Sequence, residues 1–111
     1  MGRFVKGDVV VVAFPFSDLS SSKRRPALVI ANASENDMVL AQITSLSFHD
    51  SFAIGIDSND FDSGGLRVPS NIRANKLFTA DTGIILYKAG SLKPEKTKEV
   101  IDVIISLVLK E

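Results

Sequence analysis

Four consecutive valines, Val9 to Val12, followed by Ala13 and Phe14, constrain this chain more than any other stretch. Successive side chains of a strand point to opposite faces, so an unbroken β-branched run leaves neither face for water and needs a sheet covered on both sides. Gly7-Asp8 ahead of the run reads as a turn, and Pro15, with no N–H to donate, stops the ladder. A second run of the same character, Pro26 to Ala31, is its natural hairpin partner. The link between them, Phe16 to Arg25, exceeds the roughly 2–5 residues usual in a hairpin loop, which points to a function beyond connection. It passes through a Ser-rich turn and ends in Lys23, Arg24 and Arg25, three cations at the mouth of a buried strand.

The rest of the chain continues in short apolar pieces. Met38 to Thr44 alternates Val39, Ala41 and Ile43 against Leu40, Gln42 and Thr44, which predicts a third strand ending at Thr44. Ser45 to Ser51 is polar and holds the only histidine, His49; Phe52, Ile54 and Ile56 then predict a fourth strand. Asn59 to Gly65 reads as a wide turn. Val68 to Ile72 and Leu77 to Ala80 read as two short strands separated by Arg73, Ala74, Asn75 and Lys76, and Ile84 to Tyr87 as another before a turn at Gly90-Ser91. Pro94 suits the first turn of a helix, and Val100, Ile101, Ile104, Ile105, Val108 and Leu109 recur at helical spacing after it. So much apolar surface on this terminal helix predicts burial against the sheet and against a second chain. Many short strands and one terminal helix predict a mainly β fold, a small curled sheet or barrel.

At 111 residues the chain is read as one domain, 1–111, able to bury roughly 65% of its unfolded surface. Thirteen Lys and Arg balance thirteen Asp and Glu, so anion binding must come from a local cluster such as Lys23 to Arg25. With no cysteine there is no disulfide framework or thiolate nucleophile, and one histidine among scattered carboxylates argues against a metal site. No apolar run approaches the ~20 residues of a membrane span, and no signal-peptide core opens the chain, so a soluble, cytoplasmic protein is expected.

Lys6-Gly7-Asp8-Val9-Val10, Arg25-Pro26-Ala27-Leu28-Val29-Ile30 after a polar loop, Gln42-Ile43-Thr44, Thr79-Ala80-Asp81 and an aliphatic terminal helix occur in this order over nearly the whole chain. Together they resemble the MazF/PemK family of toxin–antitoxin endoribonucleases. The resemblance implies an SH3-like β-barrel of the CcdB/MazF type with a C-terminal α-helix. It further implies a homodimer that cleaves single-stranded mRNA without a cofactor or metal and is neutralised by a cognate antitoxin. It carries the catalytic pair onto Arg25 and Thr44. Where some PemK-type members carry Arg-x-Asp, this chain reads Arg73-Ala74-Asn75; an amide is no general base, which leaves Asn75 at most an RNA contact.

The chemistry asked of these residues is cleavage by the substrate's own 2′-hydroxyl, which yields a cyclic phosphate and a 5′-hydroxyl. Arg25 offers a planar fork of donors to the phosphate and Thr44 one more hydrogen bond. The proton-transfer groups stay open between Asp18, otherwise a turn residue, and His49, otherwise a solvated loop side chain. Phe16 is a candidate for stacking on a base, and Phe48 a weaker one; Lys23, Arg24 and Arg73 are candidate RNA contacts, as is Arg67. The rival class is a non-catalytic toxin or binding module on the same scaffold. A gyrase-poison-like mode of the CcdB type is disfavoured because the chain has no Trp and ends in Leu109-Lys110-Glu111.

Overall fold

The computed structural model describes residues 4–15, 22–45 and 51–110. Among them seven strands run in chain order: β1 (Asp8–Pro15), β2 (Ser22–Asn32), β3 (Asp37–Thr44), β4 (Ala53–Ile56), β5 (Phe61–Gly64), β6 (Ser70–Asp81) and β7 (Ile85–Leu92). A single helix, α1 (Pro94–Leu109), follows them. The strands form one antiparallel sheet in the order β4-β6-β3-β2-β1-β7-β5, curled as a half-barrel.

The four valines sit in the sheet as their pattern requires, Val9, Val10 and Val12 fully buried and Val11 7% exposed. Val9 joins Leu28, Ile43, Ile54, Ile72 and Val100 in a core under α1. Val10 and Val12 point the other way, into a second core with Val29, Met38 and Leu40 that Phe4, Phe78, Ile84 and Ile85 close over. Gly7-Asp8 is the clasp that starts β1. Gly7 adopts φ 97°, a left-handed conformation that a side chain would strain, while its N–H donates to Val29 and its carbonyl accepts from Leu92. The buried Asp8 carboxylate accepts from the Val5 N–H at 2.9 Å and the Ser91 hydroxyl at 3.1 Å, with Lys88 Nζ 3.4 Å away.

The third strand and the Pro94 helix start fall where the sequence predicts, and the predicted Pro26 to Ala31 strand lies within the longer β2. Elsewhere the structure differs. The first ladder runs on past its buried part, Ala13 pairing with Arg24, Phe14 with Lys23 and Pro15 with Ser22, so the cations lie on β2 and not in a loop. β3 ends at Thr44, which leaves the first residues of β2 at the sheet's margin, where Arg24 is exposed. The two short strands predicted around Arg73 to Lys76 are one strand, β6. Its pairing with β3 jumps from Gln42↔Arg73 to Ala41↔Leu77, so Ala74, Asn75 and Lys76 are absorbed as a bulge instead of forming a turn.

The wide turn at Asn59 to Gly65 resolves into a 3-10 turn, Ser58–Asp60, capped by Asp57, and the short strand β5. Gly90-Ser91 lies inside β7, not in a turn, because Gly90 faces Gly64 across the β5–β7 pair at a separation that no Cβ permits. In α1 the inner face carries Val100, Ile101, Val103 and Ile104 onto the first core, whereas Ile105, Val108 and Leu109 stand 50%, 72% and 74% exposed. Among the described residues no helix is long and apolar enough to cross a membrane.

Candidate functional site

Arg25 and Thr44 are brought together at the ends of β2 and β3. In the β2–β3 ladder Ala27 faces Gln42, Leu28 faces Ala41 and Val29 faces Leu40, and the pairing ends there; two residues beyond it, Arg25 and Thr44 line one groove. Both project to the face of Ala27 and Leu40, because Pro26 and Ile43 between them take the other face. Each is half-buried, a setting in which a donor is held by its neighbours yet open to a ligand. Pro26 lacks an N–H and fixes its own φ, so the backbone carrying Arg25 enters a stiff segment.

The ends of β2 and β3 and the segment before β6 enclose a groove of about 510 Å³. Arg24, Arg25, Thr44, Ser45, Arg67 and Ser70 supply its polar lining, and Leu66 and Val68 part of its apolar wall. Among the described residues three arginines and no carboxylate line this space. Neighbouring residues of a strand point to opposite faces, so Arg24 and Arg25 reach it from the two sides of β2. An anionic backbone laid here would meet positive charge on each flank.

The remaining predicted residues are dispersed. Arg24 is exposed and lines the groove; Lys23 belongs to β2 by its pairing with Phe14. Arg73 is only 8% exposed, on β6 between Gln42 and Ala53, so its guanidinium is held within the sheet and is not a surface contact. Asn75 is exposed in the β6 bulge, away from the groove. Phe16, Asp18, Phe48 and His49 lie outside the described residues. Ser45 and Ser70 are groove residues that sequence reasoning missed. Their only signal is position, Ser45 directly after Thr44 and Ser70 at the first residue of β6, and serine in a loop is too common to stand out. Among the described residues no three His, Cys, Asp or Glu side chains are grouped to hold a metal ion.

In the solved structure of MazE–MazF (Form-III) from Deinococcus radiodurans a chain superposes with TM-score 0.79 at 19% identity, covering 99% of this chain and 100% of that one. An endoribonuclease in complex with its cognate antitoxin from a Mycobacterial species gives TM-score 0.77 at 13% identity, over 98% and 99% of the two chains. The Mycobacterium tuberculosis toxin MazF-mt6 gives 0.68 at 15%, over 92% and 99%. At such identities the likeness speaks for the fold. Among curated proteins no sequence matches significantly. The family model for the PemK-like, MazF-like toxin of type II toxin–antitoxin systems matches residues 5–108, from the turn before Gly7-Asp8 almost to the end of α1. The chain belongs to the PemK-like, MazF-like toxin family of type II toxin–antitoxin systems.

Proposed function

We propose that this toxin is a cytoplasmic endoribonuclease that cuts single-stranded mRNA at selected sequences without a metal ion, acts as a homodimer, and is silenced by a cognate antitoxin. The observation that supports the cutting is that Arg25 and Thr44 line one groove together with Arg24 and Arg67. In the reaction the 2′-oxygen on the 5′ side of the cut attacks the adjacent phosphorus as its proton leaves. The P–O5′ bond breaks and the departing oxygen takes up a proton, leaving a 2′,3′-cyclic phosphate and a 5′-hydroxyl. Arg25 neutralises charge gathering on the non-bridging oxygens through two parallel N–H donors. Thr44 donates its hydroxyl to the same phosphate, while Arg24 and Arg67 hold the flanking backbone. The relatives solved with an antitoxin and those solved as endoribonucleases agree with this reading.

Purified protein incubated with mixed-sequence single-stranded RNA in EDTA is expected to release fragments whose 5′ ends accept labelled phosphate from a kinase without prior phosphatase treatment. A 2′-deoxy substitution on the 5′ side of the cut should abolish cleavage there. Fragments bearing 5′-phosphates, or cleavage indifferent to the 2′-deoxy substitution, would exclude 2′-hydroxyl attack. Co-expression of the partner encoded beside the toxin gene should restore growth in cells that the toxin arrests.

A further inference from the structure

Thr44, which lines the groove with Arg25, belongs to a row that continues across the sheet. Thr44 is paired across the β3–β6 ladder with Asn71, and Asn71 across the β6–β4 ladder with Gly55. Ile43, Ile72 and Ile54, one step behind in each strand, are all buried in the core under α1. Thr44, Asn71 and Gly55 therefore share the opposite face, the face of Arg25. A guanidinium, a hydroxyl, a carboxamide and a bare backbone thus follow one another across four adjacent strands. Asn71 stands two strand spacings from Arg25, about 10 Å, the reach of one nucleotide from phosphate to base. Its Oδ1 lies 3.8 Å from the point that a Cβ on the exposed Gly55 would occupy, and among the described residues nothing else comes within 4 Å of that point.

Building on the ribonuclease reading, we infer that Asn71 reads the base next to the scissile phosphate, with Gly55 as the surface on which that base rests. A carboxamide offers one donor and one acceptor side by side, which pairs with the donor–acceptor Watson–Crick edge of an unstacked base. The base lies flat against the peptide of β4 because no side chain stands on Gly55. Asn71 is a specificity residue here, and the chemistry stays with Arg25 and Thr44.

The test uses a randomised single-stranded pool of 2′-fluoro RNA, which lacks the nucleophile, captured on immobilised protein and sequenced. Wild type is expected to enrich one base at one position. Asn71→Ala should flatten that position, a loss of about 5- to 150-fold in discrimination. Asn71→Asp replaces the donor–acceptor pair with acceptors alone and should move the same position towards guanine, whose N1–H and N2–H donors it can bind, with other positions unchanged. Gly55→Val is a second probe. Gly55 has no positive φ and the added Cβ meets nothing closer than 3.8 Å, so the strand accepts the side chain while the surface under the base is filled; the same position should lose its preference. Wild-type preference retained in all three variants, or a uniform loss at every position, overturns the inference. A second pool of the same sequences in 2′-hydroxyl RNA, incubated with wild type and scored for cutting, separates it from the nuclease reading. A base shift without any cutting by wild type removes only the nuclease reading, and cutting without a base shift removes only the role of Asn71.

Discussion

Arg25→Lys is the sharpest test of the catalytic pair, because it keeps the charge and removes the geometry. Lysine presents a compact point charge in place of the planar fork that can hold two phosphate oxygens at once. The backbone pairing of residue 25 with Val12 does not involve the side chain, and the side chain is half-buried, so the fold should tolerate the change. Arg24 and Arg67 remain in the groove, and with them the attraction for RNA, so KM should change little. The loss falls on the transition state, where removing one preorganised donor costs about 10²–10³ in rate, or about 2.7–4 kcal/mol. Arg25→Ala removes the charge as well, worth about 4 kcal/mol for a partner ~4 Å away near a protein surface, and should leave no measurable turnover. Single-turnover cleavage of a fluorescent oligoribonucleotide in EDTA measures both variants, with thermal midpoints as the folding control. An Arg25→Lys rate within threefold of wild type, in a folded protein, would refute the argument that the fork matters. Activity surviving in Arg25→Ala would move the site elsewhere.

Two further outcomes follow from the groove and the sheet. If the three arginines neutralise three phosphates, the slope of log affinity against log salt for an uncleavable RNA should be about −2, at about −0.7 per contact. Arg67→Ala should reduce its magnitude by one such step and leave the sequence preference untouched; an unchanged slope would place Arg67 outside the interface. Gly90→Ala puts a Cβ 2.5 Å from the Ser63 carbonyl and 2.8 Å from the Gly65 nitrogen, both backbone atoms that cannot swing aside. Denaturant unfolding should show a loss of about 1–3 kcal/mol, typical of overpacking, and a wild-type midpoint would show that β5 and β7 are not so closely joined.

What the chain's residues determine by themselves is local. Four valines demand a two-sided sheet, Gly7-Asp8 a turn, Pro26 a stiff strand entry behind Arg25, and the 3.6-residue recurrence after Pro94 a helix; each of these is a constraint between near neighbours. The resemblance implied that Arg25 and Thr44 act together, and the ends of β2 and β3 set both on the lining of one groove. Tertiary structure alone decided the rest. Arg73 looks like a surface cation in sequence, yet pairing on both sides of β6 holds it within the sheet. Arg73 to Lys76 has the composition of a turn, but strong partners on each side of the interruption keep β6 continuous and make it a bulge. Asn71 and Gly55 carry no signal at all, since a lone amide and a lone glycine occur in any loop. They acquire meaning because antiparallel pairing aligns residues far apart in the chain into a single row, and register between distant strands is a property of the assembled sheet.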